Sequence, residues 1–153
     1  MSEYIHKRHN VSVLLYHLVC PTKYRRARVT APVEETLGKI CSYMEKCFEV
    51  TFLEIGSDED HVHFLIQTVP TMSPSRLAQL VKSTTSRELG KRLPGLRKEL
   101  WGAAFWSTGY FINTVSRHGS ESSVSLYVRN QGQASSYRVV HSCESGQLDL
   151  FSD

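Results

Sequence analysis

Two imidazoles separated by one valine, His61-Val62-His63, open the apolar run of DEDHVHFLIQ. Side chains alternate faces along a strand, so His61 and His63 would share one face while Val62 takes the other. Two imidazoles so placed can converge on one point, as adjacent metal ligands must. The same pair also fits two polar residues on a half-exposed sheet face. Asp58, Glu59 and Asp60 just upstream offer a further oxygen ligand, or equally a solvated turn. A second pattern lies near the C-terminus in SVSLYVRNQG, where Tyr127 and Gln131 stand four residues apart and would stack on one helix face. By itself that spacing fits an aromatic core contact beside a surface amide.

The elements that must position these residues follow from periodicity. Val11 to Cys20 is rich in valine and leucine and reads as a central strand ended by Pro21. After the basic loop TKYRRAR, Thr30 and Pro32 start a helix over about residues 31–48, with Val33, Leu37, Ile40, Cys41, Met44 and Phe48 as its apolar stripe. Residues 49–55 and 61–68 read as a β-hairpin turning at Gly56, Ser57 and Asp58. Ser73 and Pro74 open a second helix over about 74–90, burying Leu77, Leu80, Val81 and Leu89. Gly90, Pro94 and Gly95 break the pattern, and 105–115 carries enough aromatic and β-branched residues for a fourth strand. A glycine-serine stretch, RHGSESS, leads into a last helix expected over 120–131 and stopped by Gly132, with Gly119 to Ser123 flexible enough to be its hinge. The order β-α-β-β-α-β predicts an α+β fold, a ferredoxin-like antiparallel sheet with an appended C-terminal helix carrying the tyrosine. One domain over 1–132 and a loose, polar tail over 133–153 are expected.

Composition narrows the setting. Hydrophobic residues at 41% and charged residues at 22% are ordinary for a soluble domain. Arg138 against Glu144, Asp149 and Asp153 leaves the tail at −2, so the first 132 residues carry +5 of the formal +3 total. That mild excess permits a polyanionic partner without requiring one. Cys20, Cys41, Cys47 and Cys143 form no CxxC pair, which suits reduced thiols in a cytosolic protein. The polar start, MSEYIHKRHN, is unlike a signal peptide. The longest apolar stretch, VSVLLYHLVC, is broken by His17 and falls well short of the ~20 residues a membrane span needs. A soluble, cytoplasmic protein is expected.

Taken together, YHLVCPTKYRR, DEDHVHFLIQ, LVKSTTSREL, WGAAFWSTGYF and LYVRNQG form a specific series in order and spacing. Over residues 10–132 the chain resembles the single-tyrosine HUH transposases of the insertion-sequence 200/605 family, in which two histidines flank one bulky hydrophobic. The resemblance implies Tyr127 as nucleophile, and His61, His63 and Gln131 as ligands of Mg²⁺ or Mn²⁺. It further implies cleavage and rejoining of single-stranded DNA at hairpin-bearing transposon ends, through a 5′-phosphotyrosine intermediate. The expected partners are that DNA and a second copy of the chain, a homodimer whose active sites are shared between protomers.

The helix over 120–131 departs from the family in being serine-rich where lysine is usual. Lys23, Arg25, Arg26 and Arg28, with Lys82 and Arg87 among the bases of the second helix, could neutralise phosphates, or be solvated charges only. Tyr110, Phe105, Trp101 and Trp106 could stack on unpaired bases or pack a core. Three other functions remain open on the sequence. One is a host relative acting on repeated palindromic elements, another a catalytically idle hairpin-binding module, the third a small metal hydrolase.

Overall fold

A computed structural model of the chain describes residues 5–6, 11–12, 14–23, 28–100, 104–115 and 138–142. Two short strands, β1 (Ile5–His6) and β2 (Val11–Ser12), pair with one another. The main sheet is built from β3 (Leu14–Pro21), β4 (Val50–Ser57), β5 (His61–Thr68), β6 (Phe111–Val115) and β7 (Arg138–Ser142). Its order is β6-β3-β5-β4-β7 and every pairing is antiparallel. Without β7 this is the ferredoxin-like arrangement that the element order predicts.

Helices α1 (Ala31–Cys47) and α2 (Pro74–Arg92) cover one face. Val33, Leu37, Ile40, Cys41 and Met44 of α1 meet Tyr16, Leu18, Cys20, Val62, Phe64 and Ile66 of the sheet there. Phe48, expected on the α1 stripe, caps the helix instead and is 38% exposed. Both helices begin with proline in the first turn, where the missing N–H costs nothing. Ser73 caps α2 by accepting from the Arg76 N–H at 3.2 Å, whereas Thr30 contributes only its backbone carbonyl to α1. The opposite sheet face is also buried at Leu15, His17, Glu54, Leu65 and Gln67.

Five boundaries differ from expectation. The strand expected over 11–20 divides into β2, which pairs with β1, and β3 of the main sheet. Gly56 and Ser57, expected in the hairpin turn, end β4 because both pair with β5. Gly90 lies inside α2, and Pro94 starts a short helix, α3 (Pro94–Glu99), rather than merely breaking a pattern. The fourth strand begins at Phe111, not at residue 105. Phe105 and Trp106 instead anchor an irregular segment, the indole N–H donating to Thr85 Oγ1 at 2.8 Å. The same segment ties back to β3, since the Lys23 N–H donates to the Phe105 carbonyl and the Ser107 N–H to that of Pro21. Within the expected tail, Arg138–Ser142 forms the edge strand β7, and Arg138 reaches Glu34 at 2.9 Å and the Val29 carbonyl at 2.8 Å. A serine-rich composition hid this valine-centred strand. The expected helix over 120–131 lies outside the described residues.

Candidate metal centre

Backbone pairing fixes both histidines before any side chain is considered. His61 stands opposite Pro21, while His63 lies between Val19 of β3 and Gly56 of β4. Val62 between them belongs to the core under the helices, so the imidazoles project to the other face with ring centroids 4.8 Å apart. The β4–β5 turn is closed from within, where the Asp58 N–H donates to the His61 carbonyl at 2.9 Å. It is also held from outside, where the N–H of Thr22 donates to the Asp60 carbonyl at 2.8 Å. Val29 holds Glu59 in the same way at 3.1 Å.

This turn carries Asp58 into the site. His61 Nε2 lies 2.7 Å from Asp58 Oδ2, and His63 Nε2 lies 3.5 Å from the same oxygen. The three donor groups fall within 4.8 Å of one another. On the far side of each ring, His61 Nδ1 meets Asp60 Oδ1 at 2.7 Å, and His63 Nδ1 meets His17 Nε2 at 3.0 Å. Both Nε2 atoms are thereby aimed at one carboxylate.

Burial separates the readings that the sequence left open. His63 is 2% exposed, so a half-exposed polar face does not describe it. The Asp58 side chain is 3% exposed while that of Asp60 is 82% exposed, so the solvated-turn reading fits Asp60 and not Asp58. Burial lowers His17 to about 4. Burial, reinforced by the neighbouring His61 and His17 rings and opposed by Asp58, lowers His63 to about 4 as well. Near neutral pH both are uncharged, as a metal ligand must be. Two imidazoles and a carboxylate form a donor set that a divalent cation fits. The carboxylate adds a hard oxygen that suits Mg²⁺ or Mn²⁺.

The remaining site residues of the sequence reading divide clearly. Tyr127, Gln131, Arg25 and Arg26 lie outside the described residues. Arg28 pairs with Glu59 at 3.3 Å beside the metal turn. Lys23 follows Thr22, whose hydroxyl also donates to the Asp60 carbonyl. Lys82 and Arg87 line a cleft of about 680 Å³ between α2 and residues 104–110, together with Gln79, Ser83, Trp106 and Tyr110. There the Lys82 ammonium donates to the Thr108 carbonyl at 3.0 Å and sits 5.4 Å from the Tyr110 ring centroid. Phe105 and Trp106 are core residues, 1% and 4% exposed, which removes them as open stacking platforms; Tyr110 is 39% exposed. His17 was not anticipated beside the histidine pair, because its only signal was a histidine interrupting an apolar strand.

Against this geometry, residues 10–131 match the family model for IS200-like transposases. The chain belongs to that transposase family. It is 28% identical over 116 residues to the transposase for insertion sequence element IS200 of Salmonella typhimurium, covering 76% of this chain and 75% of the relative. It is 29% identical over 120 residues to the ISDra2 transposase TnpA of Deinococcus radiodurans, covering 77% and 84%. Among solved structures, a Deinococcus radiodurans protein described as a transposase superposes with a TM-score of 0.64 at 26% identity, covering 83% of this transposase and 97% of that chain. The family expected from the sequence is thus the family found. No helix among the described residues is long and apolar enough to cross a membrane.

Proposed function

We propose that this transposase is a metal-dependent enzyme that cleaves and rejoins single-stranded DNA at hairpin-bearing transposon ends, with Tyr127 as its nucleophile. The observation that carries the reading is the convergence of His61 Nε2, His63 Nε2 and the Asp58 carboxylate on one point of the sheet. Gln131, one helical turn beyond Tyr127, would add its amide oxygen to that set, so the helix that delivers a ligand also delivers the nucleophile. In a homodimer each tyrosine helix would complete the partner's histidine site. This arrangement, like the hairpin substrate, rests on the family resemblance.

In the reaction the Tyr127 phenol oxygen bonds to the scissile phosphorus as the bond from phosphorus to the 3′-oxygen breaks. The phenol proton leaves and the 3′-oxygen ends as a hydroxyl. A 5′-phosphotyrosyl ester remains, and a 3′-hydroxyl of another strand reverses the step to rejoin DNA. One ester replaces another, so no nucleotide triphosphate is consumed. A bound Mg²⁺ or Mn²⁺ would neutralise the phosphate and the departing oxygen, an effect worth several kcal/mol. A phenol with a reference pKa of about 10 needs such help near neutral pH.

Lys82 and Arg87 would hold the strand through its phosphates, and the exposed Tyr110 ring beside them would stack on an unpaired base. No acidic side chain among the described residues lines that cleft. Lys23 and Arg28 would contact phosphates nearer the metal turn, and Arg25 and Arg26 would add charge in the same basic segment of the sequence.

The test is a labelled single-stranded hairpin oligonucleotide incubated with the full chain and Mn²⁺, resolved on a denaturing gel. A labelled band that migrates with the protein and vanishes with chelator is expected. Cleaved product without any covalent species would make the protein a hydrolase. Hairpin binding without cleavage would make it an idle binding module.

A further inference from the structure

Two strands away in sequence from the HVH motif, His17 is 1% exposed on β3, on the same sheet face as His63 and next to buried Leu15 and Leu65. An apolar side chain would fill this place without the desolvation cost of an imidazole. What His17 supplies instead is a 3.0 Å link from its Nε2 to His63 Nδ1, spanning 46 residues of sequence and joining two adjacent strands. Its ring lies nearly parallel to that of His63, at 13°, and the Phe111 ring packs edge-on against it with centroids 6.4 Å apart.

We propose that His17 is a positioning residue that holds His63 in the tautomer and orientation required to ligate the metal. The inference rests on the metal reading of the HVH site. A neutral imidazole carries one proton on one of its two nitrogens. When His63 Nδ1–H donates to His17 Nε2, the His63 Nε2 lone pair is left facing Asp58 and the position of a cation. With the opposite donor direction His63 Nε2 carries the proton and cannot ligate. His17 therefore selects the ligating form when it presents an acceptor. His61 has the equivalent arrangement, its Nδ1 held by Asp60 Oδ1 at 2.7 Å. Each ligand of the HVH pair thus has its own outer partner, a carboxylate for one and a histidine for the other. Outer partners of metal-bound histidines fix ring and tautomer, and their loss typically costs 10–100-fold in affinity.

The experiment is a Mn²⁺ titration of the full chain, freed of metal beforehand, in which the electron paramagnetic resonance signal of unbound Mn²⁺ gives the dissociation constant. Wild type, His17→Leu, His17→Gln and His63→Ala are compared. His17→Leu should weaken binding by about 10–100-fold. His17→Gln, whose amide oxygen can accept from His63 Nδ1–H, should recover most of that loss. Since leucine suits an apolar neighbourhood, His17→Leu should keep a cooperative unfolding transition. Nitrogen-15 NMR of the Zn²⁺-loaded wild type should show His63 protonated at Nδ1, a readout that needs no variant to fold. Wild-type affinity in His17→Leu alongside weakened binding in His63→Ala would overturn the positioning role and leave the metal site standing. Wild-type affinity in His63→Ala would remove the metal site itself, and the inference with it.

Discussion

Asp58 Oδ2 lies 2.7 Å from His61 Nε2, across a turn pinned at both flanks by Thr22 and Val29. The carboxylate is buried, and the turn that carries it is held by backbone hydrogen bonds. It is therefore a third donor fixed in advance, supplied by the same hairpin as the two imidazoles. A binding site can form here before any other segment docks on it.

This relationship predicts that Asp58→Ala weakens Mn²⁺ binding beyond the ~10–100-fold loss typical of an outer-shell partner, because a ligand atom itself is removed. Asp60→Ala, which removes only the contact to His61 Nδ1, should fall within that range. Calorimetric titration of both variants separates the two. Equal losses would place Asp58 outside the ligand set.

The buried histidines make stability depend on pH in a definite direction. His17 and His63 are lowered from 6.5 to about 4 in the folded chain. Between those values the unfolded chain binds protons that the folded chain refuses, so stability is full above about 6.5 and declines as pH falls toward 4. The slope should reach at most about 1.4 kcal/mol per pH unit for each histidine. Urea unfolding with chelator present at pH 5 and 7 measures it, and His17→Leu should flatten the dependence. A wild-type midpoint that does not move would contradict the prediction.

The indole of Trp106 depends on one acceptor. Thr85 Oγ1 takes its N–H at 2.8 Å and donates in turn to the Val81 carbonyl at 2.6 Å. Thr85→Val keeps the shape but strands a buried donor, which should cost about 1–3 kcal/mol. The shift in the urea midpoint gives the value, while metal affinity should be unchanged because the pair lies on the helix side of the sheet.

Arg87 tests the cleft. If it contacts a phosphate, Arg87→Ala should weaken single-stranded DNA binding and make the slope of log affinity against log salt shallower by about 0.7. Fluorescence anisotropy over a salt series measures that slope. An unaltered slope would place the strand elsewhere.

Much of the fold was legible because its signals are local. Val33, Leu37, Ile40, Cys41 and Met44 repeat at helical spacing, and proline marks the start of α1 and α2. The strand alternation that sends His61 and His63 to one face likewise needs only neighbouring residues. What was not legible depends on partners far along the chain. Asp58 could be separated from Asp60 only once the turn was folded, since both are acids in the same tripeptide and only one is buried. His17 acquires meaning from a register that sets β3 beside β5. Strand β7 pairs with β4 far earlier in the chain, and Arg138 joins it to Glu34, 104 residues away. Phe105 and Trp106 looked like strand because aromatic residues favour strands, but tertiary packing used them as core anchors of an irregular segment.

The most direct measurement concerns the covalent step itself. After reaction of the full chain with a single-stranded hairpin oligonucleotide and Mn²⁺, nuclease and protease digestion followed by mass spectrometry locates the tyrosine bearing a 5′-linked nucleotide. That mass is expected on the peptide containing Tyr127, and it should be lost in Tyr127→Phe and in His63→Ala. Attachment at Tyr110 or any other tyrosine, or efficient cleavage leaving every tyrosine unmodified, would contradict it.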